Sequence, residues 1–307
     1  MPDISVIIPA YCEELSIKSF LERLLKVLKD ISFSHEILVI DDGSTDRTAR
    51  IAAGFEEVTV ISHPYNIGNG AAVKTGVRKS TGDILILMDA DGQHPPEEIP
   101  RLLAGIPEYD MVVGARDRNS VTQWHRDIAN QIFNWTASYL TSRKIPDLTS
   151  GFRVVKASLF KKFLYLIPNT FSYPTTLTLS LLRDGHSVKY SLISSEKRQG
   201  QSKINIFQDG FRFFMIMVKI TTLFSPFKIF LPVSLLFFLT GLIYGSYMII
   251  GAGHFSNMVL FLIITGVLVF LMGLIAEQVS MLRAEGGKVW ELNSTPSNCP
   301  SDIKRQS

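Results

Sequence analysis

Residues Ile84–Pro96 read ILILMDADGQHPP. Ile84 to Met88 form an unbroken apolar run, the pattern of a strand buried on both faces of a mostly parallel sheet. Asp89, Ala90 and Asp91 follow at once, then Gly92, Gln93, His94 and two prolines. Open α/β sheets bind ligands at the carboxyl ends of their strands, where this pair of carboxylates falls. Asp89 and Asp91 are suited to a hard divalent cation, which takes oxygen ligands and bridges phosphates. Taken alone, the stretch also reads as a polar turn capping the helix expected from Pro96.

The flanking sequence tips that balance towards a site. Ser5–Pro9 (SVIIP) is a short buried strand with Pro9 at its exit. Ile17, Phe20, Leu21, Leu24, Leu25 and Leu28 then repeat at helical spacing. A second strand, Glu36–Ile40, runs into Asp41-Asp-Gly-Ser-Thr-Asp, a helix-start sequence with Ser44 or Thr45 as the expected cap. Val58–Ile61 is a third strand. Asn66-Ile-Gly-Asn-Gly opens a helix whose glycines let a backbone approach a ligand closely. After the central strand come a helix over Pro96–Ala104, a strand at Met111–Val113 leading to Arg116, and a helix over Trp124–Arg143. A loop holding Asp147 follows. Alternating strands and helices predict a three-layer α/β domain. Asp41, Asp42, Asp89, Asp91 and Arg116 all fall at strand ends, which predicts one charged cleft. His35, His63, His94, His125 and His186 lack metal-ligand spacing and read as ordinary surface or supporting residues.

Composition sets the outer limits. The chain has 307 residues, enough for one α/β domain and an additional element. The net charge is only +3, and no basic run resembles a nucleic-acid-binding arm. Cys12 and Cys299 are too far apart in sequence to suggest a metal site, and a reducing compartment is expected. No signal peptide is expected, because a strand-like run follows Met1-Pro-Asp directly.

The apolar excess lies late in the chain. Ile204–Phe224 is rich in Phe, Met and Ile, with Lys203, Arg212 and Lys219 along it, as in a helix lying in a membrane interface. From Ile229 to Ala276 there is no Asp, Glu, Lys or Arg. The segment around Gly251–Asn257 divides this run into stretches near 229–250 and 258–280, each about 33 Å long as helix and able to span a bilayer. Lys219 and Lys228 precede this hairpin and Arg283 and Lys288 follow it, while its loop carries only His254. That bias predicts a cytoplasmic catalytic domain on a multi-pass cell-membrane protein. Glu277 is expected at the exit of the second span, and the Ser/Pro/Asn-rich tail from Asn293 is expected to be disordered.

Ser5–Glu14 (SVIIPAYCEE), Glu36–Thr48 (EILVIDDGSTDRT), Thr81–Pro96 (TGDILILMDADGQHPP), Ser150–Arg153 (SGFR) and Arg198–Lys203 (RQGQSK) together resemble a family-two glycosyltransferase. Within that family they are similar to the polyprenyl-phosphate sugar synthases of the dolichol-phosphate mannose synthase type. The likeness covers about residues 4–205, and the two-span tail resembles membrane-anchored members.

The resemblance implies a GT-A fold: an α/β, Rossmann-like, mostly parallel sheet in a catalytic domain over 1–202. Interfacial amphipathic helices over 203–228, two transmembrane helices over 229–282 and a partly disordered cytoplasmic tail over 283–307 would follow. It implies a nucleoside site at Pro9, Ala10, Tyr11, Glu13, Val39 and Asp41. Asp89 and Asp91, with Ala90 between them, would hold Mg²⁺ or Mn²⁺, with Gln93 beside the sugar or diphosphate. Arg116 and Arg126 match basic positions near the phosphates, and Asp147 matches an acid near the acceptor. Arg198, Ser202 and Lys203 match the loop that meets a lipid phosphate. Processive polysaccharide synthases carry a Gln-x-x-Arg-Trp string that is absent here, which disfavours polymerisation.

The expected reaction is inverting transfer of one sugar from a GDP- or UDP-sugar to a polyprenyl monophosphate, undecaprenyl or dolichyl. The expected partners are those two substrates and the membrane, with nucleic acid excluded and a homo-oligomer left open. Two rivals stand beside it. One is a membrane-bound transferase acting on a glycolipid or protein hydroxyl, for which Asp147 would be the base. The other is a non-catalytic scaffold that binds nucleotide sugar.

Overall fold

The computed structural model describes residues 2–116, 134, 135, 137–139, 141, 143–170, 172–193, 215, 218, 222, 226–252 and 256–294, with 283–294 as backbone alone. The chain divides into two units, Met1–Met217 and Val218–Ser307. The expected boundary at 202 and most of the interfacial segment lie outside the described residues, as does the tail beyond 294.

The first unit is built on a seven-stranded sheet. Its elements are β1 (Ile4–Ala10), α1 (Ile17–Lys29), β2 (His35–Asp41), α2 (Thr48–Ala52), β3 (Val58–Ser62), α3 (Asn69–Lys79), β4 (Ile84–Leu87), α4 (Ile99–Leu103), β5 (Met111–Arg116), β6 (Arg153–Lys156), α5 (Ala157–Phe163), α6 (Tyr173–Arg183) and β7 (Val188–Ile193). The strand order is β3-β2-β1-β4-β6-β5-β7, which puts β4 at the centre. Leu85, Ile86 and Leu87 are fully buried there, as the apolar run requires. β1 pairs in parallel with both β2 and β4, β2 with β3, and β5 with β7.

β6 departs from the expected alternation. It is antiparallel to both β4 and β5, with Leu87 and Val113 opposite Arg153. Its first residue therefore lies at the edge where its neighbours end. Six strands deliver their carboxyl ends to that edge, and β6 returns a loop to it.

Two apolar layers hold the sheet. On one face, α1 buries Ile17, Phe20, Leu21, Leu24 and Leu28 against β1, β2 and β4. On the other, Ala72, Val73 and Val77 of α3 pack with Phe160, Tyr173, Leu177 and Leu181. Each fully buried large apolar side chain contributes roughly 1.5–3 kcal/mol relative to exposure.

The expected cap of α2 is corrected by the structure. The helix starts at Thr48, and Asp46 Oδ1 accepts the Thr48 N–H at 2.9 Å. Ser44 is occupied elsewhere, accepting the Cys12 N–H through its hydroxyl oxygen at 2.9 Å.

The second unit contains α7 (Phe227–Ala252) and α8 (Asn257–Ser294). Phe227–Gly251 and Asn257–Leu282 are long and apolar enough to cross a membrane, and both are mostly unburied. Their backbones approach closely at Gly266, where a Cβ would lie 3.0 Å from Phe238 N and 3.1 Å from Ser234 O. Phe227 and Phe270 meet edge to face, ring centroids 5.7 Å apart. Glu277 lies near the end of the second apolar stretch, and its Oε2 accepts the Phe227 N–H at 3.1 Å. That contact satisfies one of the donors a helix start leaves open.

Candidate active site

The loop after β1 is tied to the turn after β2. Asp42 N–H donates to Ala10 O at 2.8 Å, and Glu13 N–H donates to Thr48 Oγ1 at 2.8 Å. Glu14 N–H donates to Asp46 Oδ2 at 3.3 Å. These bonds hold Cys12 at φ +54°, a left-handed backbone that non-glycine residues rarely adopt. Pro9 and Ala10 are buried beneath the loop, while Tyr11 and Glu13 are half-buried. Val39 turns its side chain away from the loop. It is 0 % exposed inside the core beneath α1, where its side chain has no surface to offer a ligand.

The adjacent carboxylates of β2 divide their work. Asp41 accepts the Ser44 N–H at 3.2 Å. Asp42 is consumed by the fold: it accepts the N–H groups of Ile67 at 3.0 Å and Gly68 at 2.8 Å, and contacts His63 Nδ1 at 2.7 Å. His63 Nε2 lies 2.9 Å from Thr75 Oγ1. His63 is therefore a brace between strand and helix, the supporting one of its two expected roles.

The glycines that open α3 also serve the fold. Gly70 N–H donates to Asn169 O at 3.0 Å. A Cβ at Gly70 would overlap Pro168 O, and one at Gly68 would overlap Asn169 O. The close approach expected of a ligand is made by the chain itself, and the N-terminus of α3 is plugged.

The central acids stand beyond the end of β4. Asp91 is buried, and its Oδ1 accepts the Gln93 N–H at 3.1 Å. Gly92 takes φ +76°, which permits this tight reversal. Ala90 is buried, and its carbonyl accepts the Ser16 hydroxyl at 2.9 Å, fastening the turn to the start of α1. The Asp89 side chain is 29 % exposed, and its N–H donates to His94 Nδ1 at 3.3 Å. His94 is buried with its ring 5.5 Å from that of Phe152, so it too braces the site.

Asp89 packs against Gly151, where a Cβ would overlap its Oδ2. The Ser-Gly-Phe string thus carries the one residue that leaves room for this carboxylate.

Arg116, ending β5, joins the acids. Its guanidinium makes a bidentate pair with Asp147, at 2.9 Å to Oδ2 and 3.0 Å to Oδ1, and donates to Thr149 Oγ1 at 2.6 Å. Asp147 is 7 % exposed and also accepts the N–H groups of Thr149 and Ser150, each at 3.1 Å. Burial alone would raise its pKa. The Arg116 charge and hydrogen bonds outweigh that and hold it below the usual carboxylate range. For Arg116, burial pulls the pKa down, but Asp147, Asp89 and Asp91 raise it overall.

The donor set fits a hard cation. Asp89 and Asp91 supply two carboxylates, and among the described residues no group of three His, Cys, Asp or Glu could enclose a metal. Mg²⁺ is commonly held by one or two carboxylates, with water and substrate phosphate completing its shell. The pair thus suits a cation that arrives with a diphosphate.

Sequence reading left His63 and His94 between surface and supporting roles, and missed the bracing role of Asp42 and the buried Arg153. The signal for Arg153 was a charge standing in an apolar run, Phe152-Arg-Val-Val. Arg126, Arg198, Ser202 and Lys203 lie outside the described residues, as does His125.

Comparison with known proteins gives two family matches. Residues 5–165 match the family described as Glycosyl transferase family 2, and residues 225–282 match the GtrB C-terminal hairpin. The chain is 32 % identical over 214 residues to an undecaprenyl-phosphate 4-deoxy-4-formamido-L-arabinose transferase of Proteus mirabilis, covering 65 % of this chain and 62 % of that one. A protein of the same description from Pseudomonas paraeruginosa is 27 % identical over 327 residues, covering 98 % and 94 %. The chain spans just over three fifths of the length of the first relatives it matches, at 62 % and 63 %. Among solved structures, glucosyl-3-phosphoglycerate synthase from Mycobacterium tuberculosis, in complex with Mn²⁺, UDP and phosphoglyceric acid, superposes with a TM-score of 0.59 at 17 % identity. The superposition covers 72 % of this chain and 78 % of that one, a likeness of fold.

Proposed function

Because the chain belongs to glycosyl transferase family 2, we propose that it transfers a single sugar from a GDP- or UDP-sugar to a polyprenyl monophosphate at the cytoplasmic membrane face. The observation that carries this reading is the state of Asp147. A sugar or protein hydroxyl must lose a proton to attack, which calls for a general base with a pKa near the working pH. Asp147 is instead clamped by Arg116 and held below the ordinary carboxylate range. A phosphate monoester, with its second pKa near ~6, is already largely dianionic at neutral pH and needs no base. The GtrB-type hairpin and the description of the relatives as undecaprenyl-phosphate sugar transferases support such an acceptor.

In this reading Tyr11, Glu13 and Asp41 bind the nucleoside, and Gln93 lies beside the sugar or diphosphate. Asp89 and Asp91 are the residues that would hold Mg²⁺ or Mn²⁺, whose chemistry when bound is neutralisation of the departing diphosphate. Arg116 presents a fixed positive charge to the phosphates, its orientation set by Asp147. Arg126 adds to that charge, and Arg198, Ser202 and Lys203 hold the acceptor phosphate. Direct displacement by the phosphate oxygen inverts the anomeric centre. The basic residues flanking the two apolar helices support a cytoplasmic catalytic domain.

The test incubates membranes carrying the full chain with radiolabelled nucleotide sugars, with and without added polyprenyl phosphate. Lipid-extractable label that is released by mild acid and depends on the polyprenyl phosphate is the expected result. Acid-stable product would establish a hydroxyl acceptor instead, and no label with any donor would point to a scaffold.

A further inference from the structure

Arg153 is 0 % exposed and opens β6. A buried guanidinium is costly unless its donors are satisfied. Among the described residues no carboxylate forms an ion pair with it; its donors go to two main-chain carbonyls, a hydroxyl and a thioether sulfur. Nε donates to Ser150 O at 2.7 Å and Nη2 to Leu148 O at 3.1 Å. Nη1 donates to the Thr178 hydroxyl of α6 and lies 3.8 Å from Met111 Sδ of β5. The two carbonyls belong to the segment that carries Asp147 at one end and Gly151 at the other.

That segment meets the site at three points. Asp147 pairs with Arg116, the Ser150 hydroxyl donates to Gly114 O at 2.6 Å, and Gly151 packs on Asp89. Tyr173 Oη donates to Gly151 O at 3.4 Å from α6, the helix that also supplies Thr178 to Arg153. Burial pulls the Arg153 pKa down, while Tyr173, Tyr190, Asp147 and Asp89 offset part of that effect.

We propose that Arg153 is a positioning residue for transfer: its planar fork fixes the 147–151 segment, and so sets Arg116 and Asp89 relative to each other. A fork is needed because two carbonyls two residues apart must be gripped at once, which the single ammonium of Lys does less well. The inference rests on the proposed transferase reading only for its kinetic arm.

The test compares wild type with Arg153→Lys and Arg153→Met as full chains in detergent. Arg153→Lys keeps the charge and is the informative variant should Arg153→Met fail to fold. The expected result is a kcat about 100-fold lower at a temperature where the protein is folded, with donor KM unchanged. The double variant Arg153→Lys/Asp147→Asn should be no slower than the worse single variant, because both act through one segment. Wild-type kcat in Arg153→Lys, a loss wholly in donor KM, or multiplicative losses in the double variant would each overturn the proposal. Amide exchange supplies an arm independent of activity. Thr149 and Ser150 should exchange faster in Arg153→Lys while β1 and β2 stay protected, and unchanged exchange at 149–150 would also overturn it. Absence of transfer in wild type refutes the transferase reading alone, and amide exchange then decides for Arg153.

Discussion

At the scale of the residue, Asp147 and Gly151 make the sharpest claims. A carboxyl held below its ordinary pKa is already ionised throughout pH 5–8, so its titration should leave no limb there in kcat/KM. Asp147→Asn should lower kcat about 10–100-fold by loosening Arg116, without altering the shape of the pH–rate profile. A wild-type acid limb near neutrality that vanishes in Asp147→Asn would show a general base instead. Gly151→Ala drives a Cβ into Asp89 Oδ2, so the carboxylate must move. Its kcat/KM should fall about 10–100-fold while the melting temperature stays within a few degrees of wild type. The acids after β4 were legible because two carboxylates directly following a buried apolar run stand at the ligand-binding edge of an open sheet. Asp42 was not distinguishable from Asp41, because the two are adjacent and only the fold shows which one the Ile67 and Gly68 amides consume. Alternation along β2 turns the Val39 side chain into the core, which the unbroken apolar run of that strand does not reveal.

At the scale of the element, the parallel strands and α1 could be read from apolar runs and helical spacing. β6 could not: it is four residues long, begins with a charge and follows a loop-like Ser-Gly-Phe. No local pattern states that a strand is reversed, since direction is fixed by pairing partners far apart in the chain. The start of α3 misled for a related reason, its glycines admitting Pro168 and Asn169 from a distant segment. Gly70→Ala should therefore cost about 1–3 kcal/mol by overpacking against main chain. Gly185→Ala, at φ +88° with open space around it, should cost only about 1–2 kcal/mol for its left-handed backbone. Thermal unfolding of the two variants should rank them in that order. Asp110 ties β5, β6 and β7 together, accepting from Lys156 Nζ at 2.8 Å and from Ser187 N and Oγ at 3.0 Å each. Burial opposes its charge, but these bonds dominate and depress its pKa. A depressed carboxyl stabilises above its unfolded pKa and loses that contribution as pH falls through the folded value. Asp110→Asn should thus cost about 1–2 kcal/mol at pH 7, a modest sum because the site is partly solvated. The gap from wild type should close as pH drops below ~3.9, which melting curves across pH would show.

At the scale of the whole molecule, the two units follow different rules. The first buries its apolar residues on two faces of a sheet, and the second leaves most of its apolar surface uncovered. Uncovered apolar helices of this length suit hydrocarbon rather than water. On the proposed topology, a reporter fused after Lys288 should read as cytoplasmic and one inserted near His254 as external. An external reading after Lys288 would mean that the second helix does not cross. The reversed strand also governs how the molecule is made. A nascent chain that has emerged only as far as Arg116 contains β4 and β5 but not the strand that lies between them. Until Lys156 leaves the ribosome, β4 presents an open, apolar edge of the kind that pairs with other chains. Slow translation of residues 117–152 should therefore raise the insoluble fraction of newly made protein, whereas an equal pause after Ile193 should not.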